Sequence, residues 1–99
     1  MVRGILSVVL SGLLMVGCQY SADRKRLAET RLQLGLALMQ RDRLPAAQHN
    51  LAEAERLAPD DYRVLLAQAR YQQLLKNQEK ARTFYQKALK KSQKNGYLL

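Results

Sequence analysis

An all-α fold of short paired helices, preceded by an apolar N-terminal segment, is what this sequence predicts, and three observations predict it. Apolar residues make up 47% of the 99-residue chain, yet aromatics supply only 6% and Trp is absent. The interior must then be built from Leu and Ala, which suits packed helices. Second, apolar residues recur at helical spacing in stretches separated by breakers such as Leu44-Pro45 and Ala58-Pro59. Third, positions 34 residues apart carry side chains of matching size, the mark of a repeated unit.

The first element is the start of the chain. Arg3 is followed by Ile5 to Gly17, roughly thirteen mostly apolar residues, whereas a spanning helix needs about twenty. Residues 1–17 therefore read as an export signal ending in small Gly17 directly before Cys18, the only cysteine. One cysteine excludes an internal disulfide framework and any multi-cysteine zinc site. Residues 18–22 read as a short polar tether, and 23–99 as the folded domain. Two other readings of this segment exist, an uncleaved anchor or a plain buried thiol at a helix end.

Helical patterning begins at Asp23, a natural N-cap, and continues through Leu27, Leu32, Leu34, Leu36, Leu38 and Met39 until Arg41-Asp42-Arg43 interrupts it. Leu44-Pro45 opens a second helix, because a first-turn proline lacks only an N–H that would have had no partner. Ala47, Leu51, Ala54 and Leu57 then form a narrow stripe suited to close helix approach. Ala58-Pro59-Asp60-Asp61 ends that helix and caps the next. A third helix is expected over Tyr62 to Leu75, broken near Lys76-Asn77, and a fourth from Gln78 to Lys91. Asn95-Gly96 marks a last turn before Tyr97-Leu98-Leu99.

The 34-residue offset pairs Gly35 with Ala69, Ala47 with Ala81, Leu51 with Tyr85 and Ala54 with Ala88. Small residues in such a pattern sit where the helices of a hairpin touch, and larger ones fill the space between hairpins. The pattern resembles the tetratricopeptide repeat, whose motif is matched over about 28–61 at Leu34, Gly35, Ala47, Leu51, Ala54 and Pro59, with Arg31 where Trp is usual. Over about 62–95 it is matched at Ala69, Ala81, Tyr85 and Ala88, with Gln68 and Gln93 replacing the usual Leu and Pro. Chance recurrence of Ala and Leu in Ala-rich helices is the competing explanation. Stacked repeats usually need about three units for independent stability. Residues 96–99 look like the opening of a third, so the chain is expected to be shortened or to have its end covered by a partner.

Met15-Val16-Gly17-Cys18 resembles the lipobox of bacterial lipoproteins, which implies acylation at Cys18 and release of residues 1–17. Gln19 rather than Asp after the cysteine implies the periplasmic side of the outer membrane. Taken with Glu29 to Ala37, Leu44 to Leu51, Ala58 to Tyr62 and Ala81 to Leu89, the chain resembles the type IV pilus biogenesis and stability lipoproteins, the PilF/PilW family, in its amino-terminal repeats. That resemblance implies an outer-membrane scaffold that binds a protein partner, such as a pilus secretin or another assembly component. A scaffold for a different envelope complex, or an inactive shortened chain, are the alternatives.

By analogy with the repeat fold, the first helix of each hairpin lines a partner groove, with Leu32, Leu36 and Met39 from one repeat and Leu66, Arg70 and Gln73 from the next. A Leu/Met row beside Arg suits an extended or helical peptide with acidic groups, although each of these residues also suits an inter-helix core. Charge is uneven. Residues 18–61 carry seven basic and seven acidic side chains, while 62–99 carry nine basic side chains against Glu79 alone, a net +8. Such an excess points to an acidic partner or an anionic lipid surface, or to lysines on solvated faces. No recognition-helix motif suggests nucleic acid. The single His49 has Gln48 and Asn50 as neighbours, and no Ser/His/Asp set, metal cluster or phosphate loop occurs, so neither enzyme activity nor a small-molecule substrate, metal or cofactor beyond covalent lipid is expected.

Overall fold

The computed structural model describes the backbone of residues 2–94 and the side chains of residues 21–94. Among these residues four α-helices follow in order: α1 over Val2–Gln40, α2 over Leu44–Leu57, α3 over Tyr62–Leu74 and α4 over Gln78–Lys94. Among the described residues there is no strand. Helices α1 and α2 form one antiparallel hairpin, α3 and α4 a second, and the hairpins stack.

The hairpins repeat in backbone detail. Helix α1 ends at Gln40 and α3 at Leu74; α2 begins at Leu44 and α4 at Gln78, each pair 34 residues apart. The turns copy one another too. Asp42 and Lys76 adopt left-handed backbone, at φ of 59° and 60°. Arg43 N donates to Leu38 O at 2.9 Å, and its counterpart Asn77 N to Gln72 O at 2.9 Å. This is a Schellman-type ending, in which a left-handed residue lets the next amide reach back to an otherwise unsatisfied carbonyl. Glycine is usual there, and a side chain in that conformation costs roughly 1–2 kcal/mol, so two non-glycine residues at equivalent turns mean that packing sets the turn.

The starts of α3 and α4 are capped by side chains. Asp61 caps α3 by accepting from Arg63 N at 3.0 Å, and Asn77 caps α4 through Lys80 N at 3.3 Å. Helix α2 starts at Leu44 with Pro45 in its first turn and has no side-chain cap. Its C-terminal carbonyls are met from α1, where Arg24 donates to Leu57 O at 3.1 Å and Arg56 O at 3.2 Å.

The core lies where the hairpins meet, around Leu32, Leu51, Ala54, Val64, Ala67 and Tyr71, with Leu36, Met39 and Leu44 packed against it. Leu51 is fully buried, and such burial of a leucine contributes about 1.5–3 kcal/mol. Asn50 enters the hairpin interface with both ends of its amide bonded: the nitrogen donates to Ala46 O at 2.9 Å and the oxygen accepts from Arg31 at 3.0 Å. No buried side-chain polar atom among the described residues lacks a partner.

The structure revises the expected elements in two ways. Helix α1 does not begin at Asp23, and residues 18–22 are helical instead of an extended tether, since no Pro or Gly interrupts the chain between Cys18 and Thr30 and Asp23 lies within the helix. Two residues assigned to repeat packing are exposed. Leu34 is 45% exposed, because it lies two positions from Leu32 and Leu36 and so roughly 200° round the helix from them. Pro59 is exposed in the α2–α3 loop, just past the end of α2. Gly35, Ala47, Leu51, Ala54, Ala69, Ala81 and Ala88 are buried, and Tyr85 is half-buried.

Candidate partner-binding surface

The residues proposed for a groove come from equivalent places in the two hairpins: Leu32 and Leu66, Leu36 and Arg70, Met39 and Gln73 are each 34 apart. Stacking places equivalent helices side by side, so α1 and α3 together border a shallow recess of about 250 Å³. Four of the six residues line it. Leu32, only 3% exposed, is its floor. Leu36 and Leu66 are half-buried walls and Arg70 is exposed at the rim. The arrangement offers an apolar strip a few side chains long with a guanidinium beside it, suited to a peptide that brings an apolar anchor and an acidic neighbour.

Met39 and Gln73 do not join it. Met39 packs on the core. Gln73 lies three residues past Arg70, toward the end of α3, where it accepts from the Tyr85 hydroxyl at 2.8 Å and lines a separate recess of about 300 Å³ with Arg82, Tyr85 and Leu89. Leu89 is 48% exposed there.

An ionic network that the sequence reading passed over borders the recess. Arg63 on α3 pairs with Glu29 on α1 at 2.7 Å and with Asp61 at 2.9 Å. The Asp61 carboxylate, and then Glu29, hold the Arg63 guanidinium charged more firmly than an ordinary arginine, while partial burial opposes them. Glu29 and Arg63 are themselves 34 apart. An acid at one position of a repeat and a base at the same position of the next could have been read as an inter-hairpin pair once the period was known.

A second ionic link ties the end of the chain to the loop between hairpins. Lys91 meets Asp60 at 2.7 Å. Hydrogen bonding to Lys91 holds the Asp60 carboxyl below the ordinary aspartate value. Similarly, hydrogen bonding to Arg56 lowers Glu53. Lys87 lies over the Phe84 ring, 5.6 Å from its centroid. His49 is exposed on α2. Among the described residues no three His, Cys, Asp or Glu lie close enough together to hold a metal ion, and no helix is long and apolar enough to cross a membrane.

Cys18 lies on α1, but its side chain falls outside the described residues, and so do Tyr97-Leu98-Leu99. Comparison of the chain with protein-family models, with curated proteins and with solved structures finds no match.

Proposed function

We propose that this chain is a lipid-anchored helical-repeat scaffold that holds a protein partner in the recess between α1 and α3. The observation that carries this reading is the 34-residue period seen in helix ends, left-handed turns and core positions alike. A stack with that period sets equivalent faces of successive hairpins side by side, which builds a continuous docking surface in place of a closed pocket. Tetratricopeptide packing is the finer reading of that period. It is supported by buried small residues at Gly35, Ala47, Ala54, Ala69, Ala81 and Ala88.

The anchoring half of the proposal rests on Met15-Val16-Gly17-Cys18 after an apolar run. Two or three acyl chains would hold the chain durably, since burial contributes about 0.8 kcal/mol per CH₂. With Gln19 next to the cysteine, the setting proposed is the periplasmic face of the outer membrane. Resemblance to the pilus biogenesis and stability lipoproteins makes type IV pilus assembly, including support of the secretin, the role proposed there.

Two measurements test this together. Mass spectrometry of the mature protein should find acylated Cys18 at the N-terminus; an intact Met1 with a free thiol would remove the anchor. Loss of the gene should abolish piliation and twitching, and so should Leu66→Glu with Arg70→Glu in a chain of unchanged helix content. Normal piliation in the deletion strain would move the scaffold to another envelope assembly.

A further inference from the structure

Helix α4 carries a lysine face. Lys80, Lys87 and Lys94 are spaced by seven, and with Lys90 they fall within one arc of roughly 80° that runs about 21 Å along the helix. All four are exposed, and none forms an ion pair among the described residues. Thr83 is the other residue on this arc, and the nearest aromatic, half-buried Phe84, lies under Lys87 at its edge, so the arc itself presents no apolar or aromatic anchor. A protein interface usually has such anchors at its centre. Compact, well-hydrated ammonium groups on flexible stems are instead suited to a diffuse anionic surface.

The direction of the helix matters as much as its charge. Lys91 is bound to Asp60 in the α2–α3 loop, and Arg24 of α1 is bound to Leu57 O at the end of α2. The C-terminal half of α4 therefore lies at the same end of the stack as the part of α1 that leads back to the apolar segment before Cys18. Lys25 borders a recess with Asp60 at this end. We infer that this end of the stack, with Lys87, Lys90 and Lys94 at its centre, docks on anionic phospholipid head groups and sets the orientation of the scaffold on the bilayer. The recess between α1 and α3 then stays open to a partner. The inference uses the proposed lipid anchor for its setting, and the charged face is tested separately from it.

The test is lysine acetylation of the full chain, read by mass spectrometry, on vesicles of phosphatidylcholine alone and of equimolar phosphatidylcholine and phosphatidylglycerol. Lys90 and Lys94 should react several-fold more slowly on the anionic vesicles at low salt, and at the unprotected rate at high salt or on phosphatidylcholine. Lys76, in the α3–α4 turn at the opposite end, should react equally in every case. Replacing Lys87, Lys90 and Lys94 by Gln should lower partitioning onto anionic vesicles by roughly a hundredfold, at about fivefold for each lysine near the surface. Equal rates on both vesicle types, or protection of Lys76 as strong as that of Lys94, overturns the inference. So does protection by soluble polyglutamate without protection by vesicles, which would assign the face to an acidic protein. An unacylated chain that still shows the protection keeps the lysine surface and loses the anchor; an acylated chain without it keeps the anchor and loses the surface.

Discussion

The two hairpins share a period and turn geometry, yet they close on different residues. In the first, Gly35 faces Leu51, and a Cβ built on Gly35 would come 2.6 Å from Leu51 Cδ2 and 2.8 Å from its Cγ. In the second, the equivalent positions hold Ala69 and Tyr85. Leu51 is fully buried, because α3 lies against the outer side of the first hairpin. Tyr85 is half-buried and turns its hydroxyl to Gln73. The same place in the repeat is thus core in one copy and half-covered in the other among the described residues, and the packing of α3 on the first hairpin is what encloses Leu51. Glycine is required only where the neighbour is pinned.

That contrast can be broken most directly at the paired positions. Leu51→Ala should cost about 2–5 kcal/mol, the range for emptying a closed leucine site, whereas Tyr85→Ala should cost well under half of that. Urea unfolding followed by circular dichroism measures both, and equal costs would mean that Tyr85 is as enclosed as Leu51.

A smaller effect is expected at the small residue itself. Gly35→Ala pushes a methyl into Leu51 and should destabilise by about 1–3 kcal/mol, as overpacking does. The gain in helix propensity, about 1 kcal/mol, offsets only part of this. A stabilised Gly35→Ala protein would show that the first hairpin opens as easily as the second.

The smallest effect concerns the link between the α2–α3 loop and α4. Both groups keep substantial exposure, with Asp60 at 79% and Lys91 at 34%, so it is read by titration instead of unfolding. The Asp60 carboxyl is held below its ordinary value. The pair is therefore complete above the ordinary aspartate range and is lost as pH falls through the depressed folded value. Lys91→Met should bring the Asp60 NMR titration midpoint back up toward that of a free aspartate; an unmoved midpoint would mean that α4 is not tied to the loop.

Much of the architecture was legible before any coordinates. Helix boundaries at Leu44, Leu57 and Tyr62 follow from the proline and aspartate residues around them, because proline and capping aspartate act within one turn. The buried Ala positions follow from the period. Leu34 did not, since a leucine on a helix reads as apolar whichever way it faces. Two members of the groove, Met39 and Gln73, matched the repeat register and were then drawn off by local partners, the core in one case and Tyr85 in the other. The Arg24 contact to the end of α2 joins residues 33 apart, and no short pattern announces it.

What the amino-acid order determined by itself is local and periodic: four helices, their stops, and a unit repeated after 34 residues. What only the tertiary structure decided is which face of each helix meets another. Backbone propensity and capping act over a few neighbouring residues, whereas burial depends on what lies across the gap. For that reason Leu51 and Tyr85 occupy the same place in the repeat and have different surroundings.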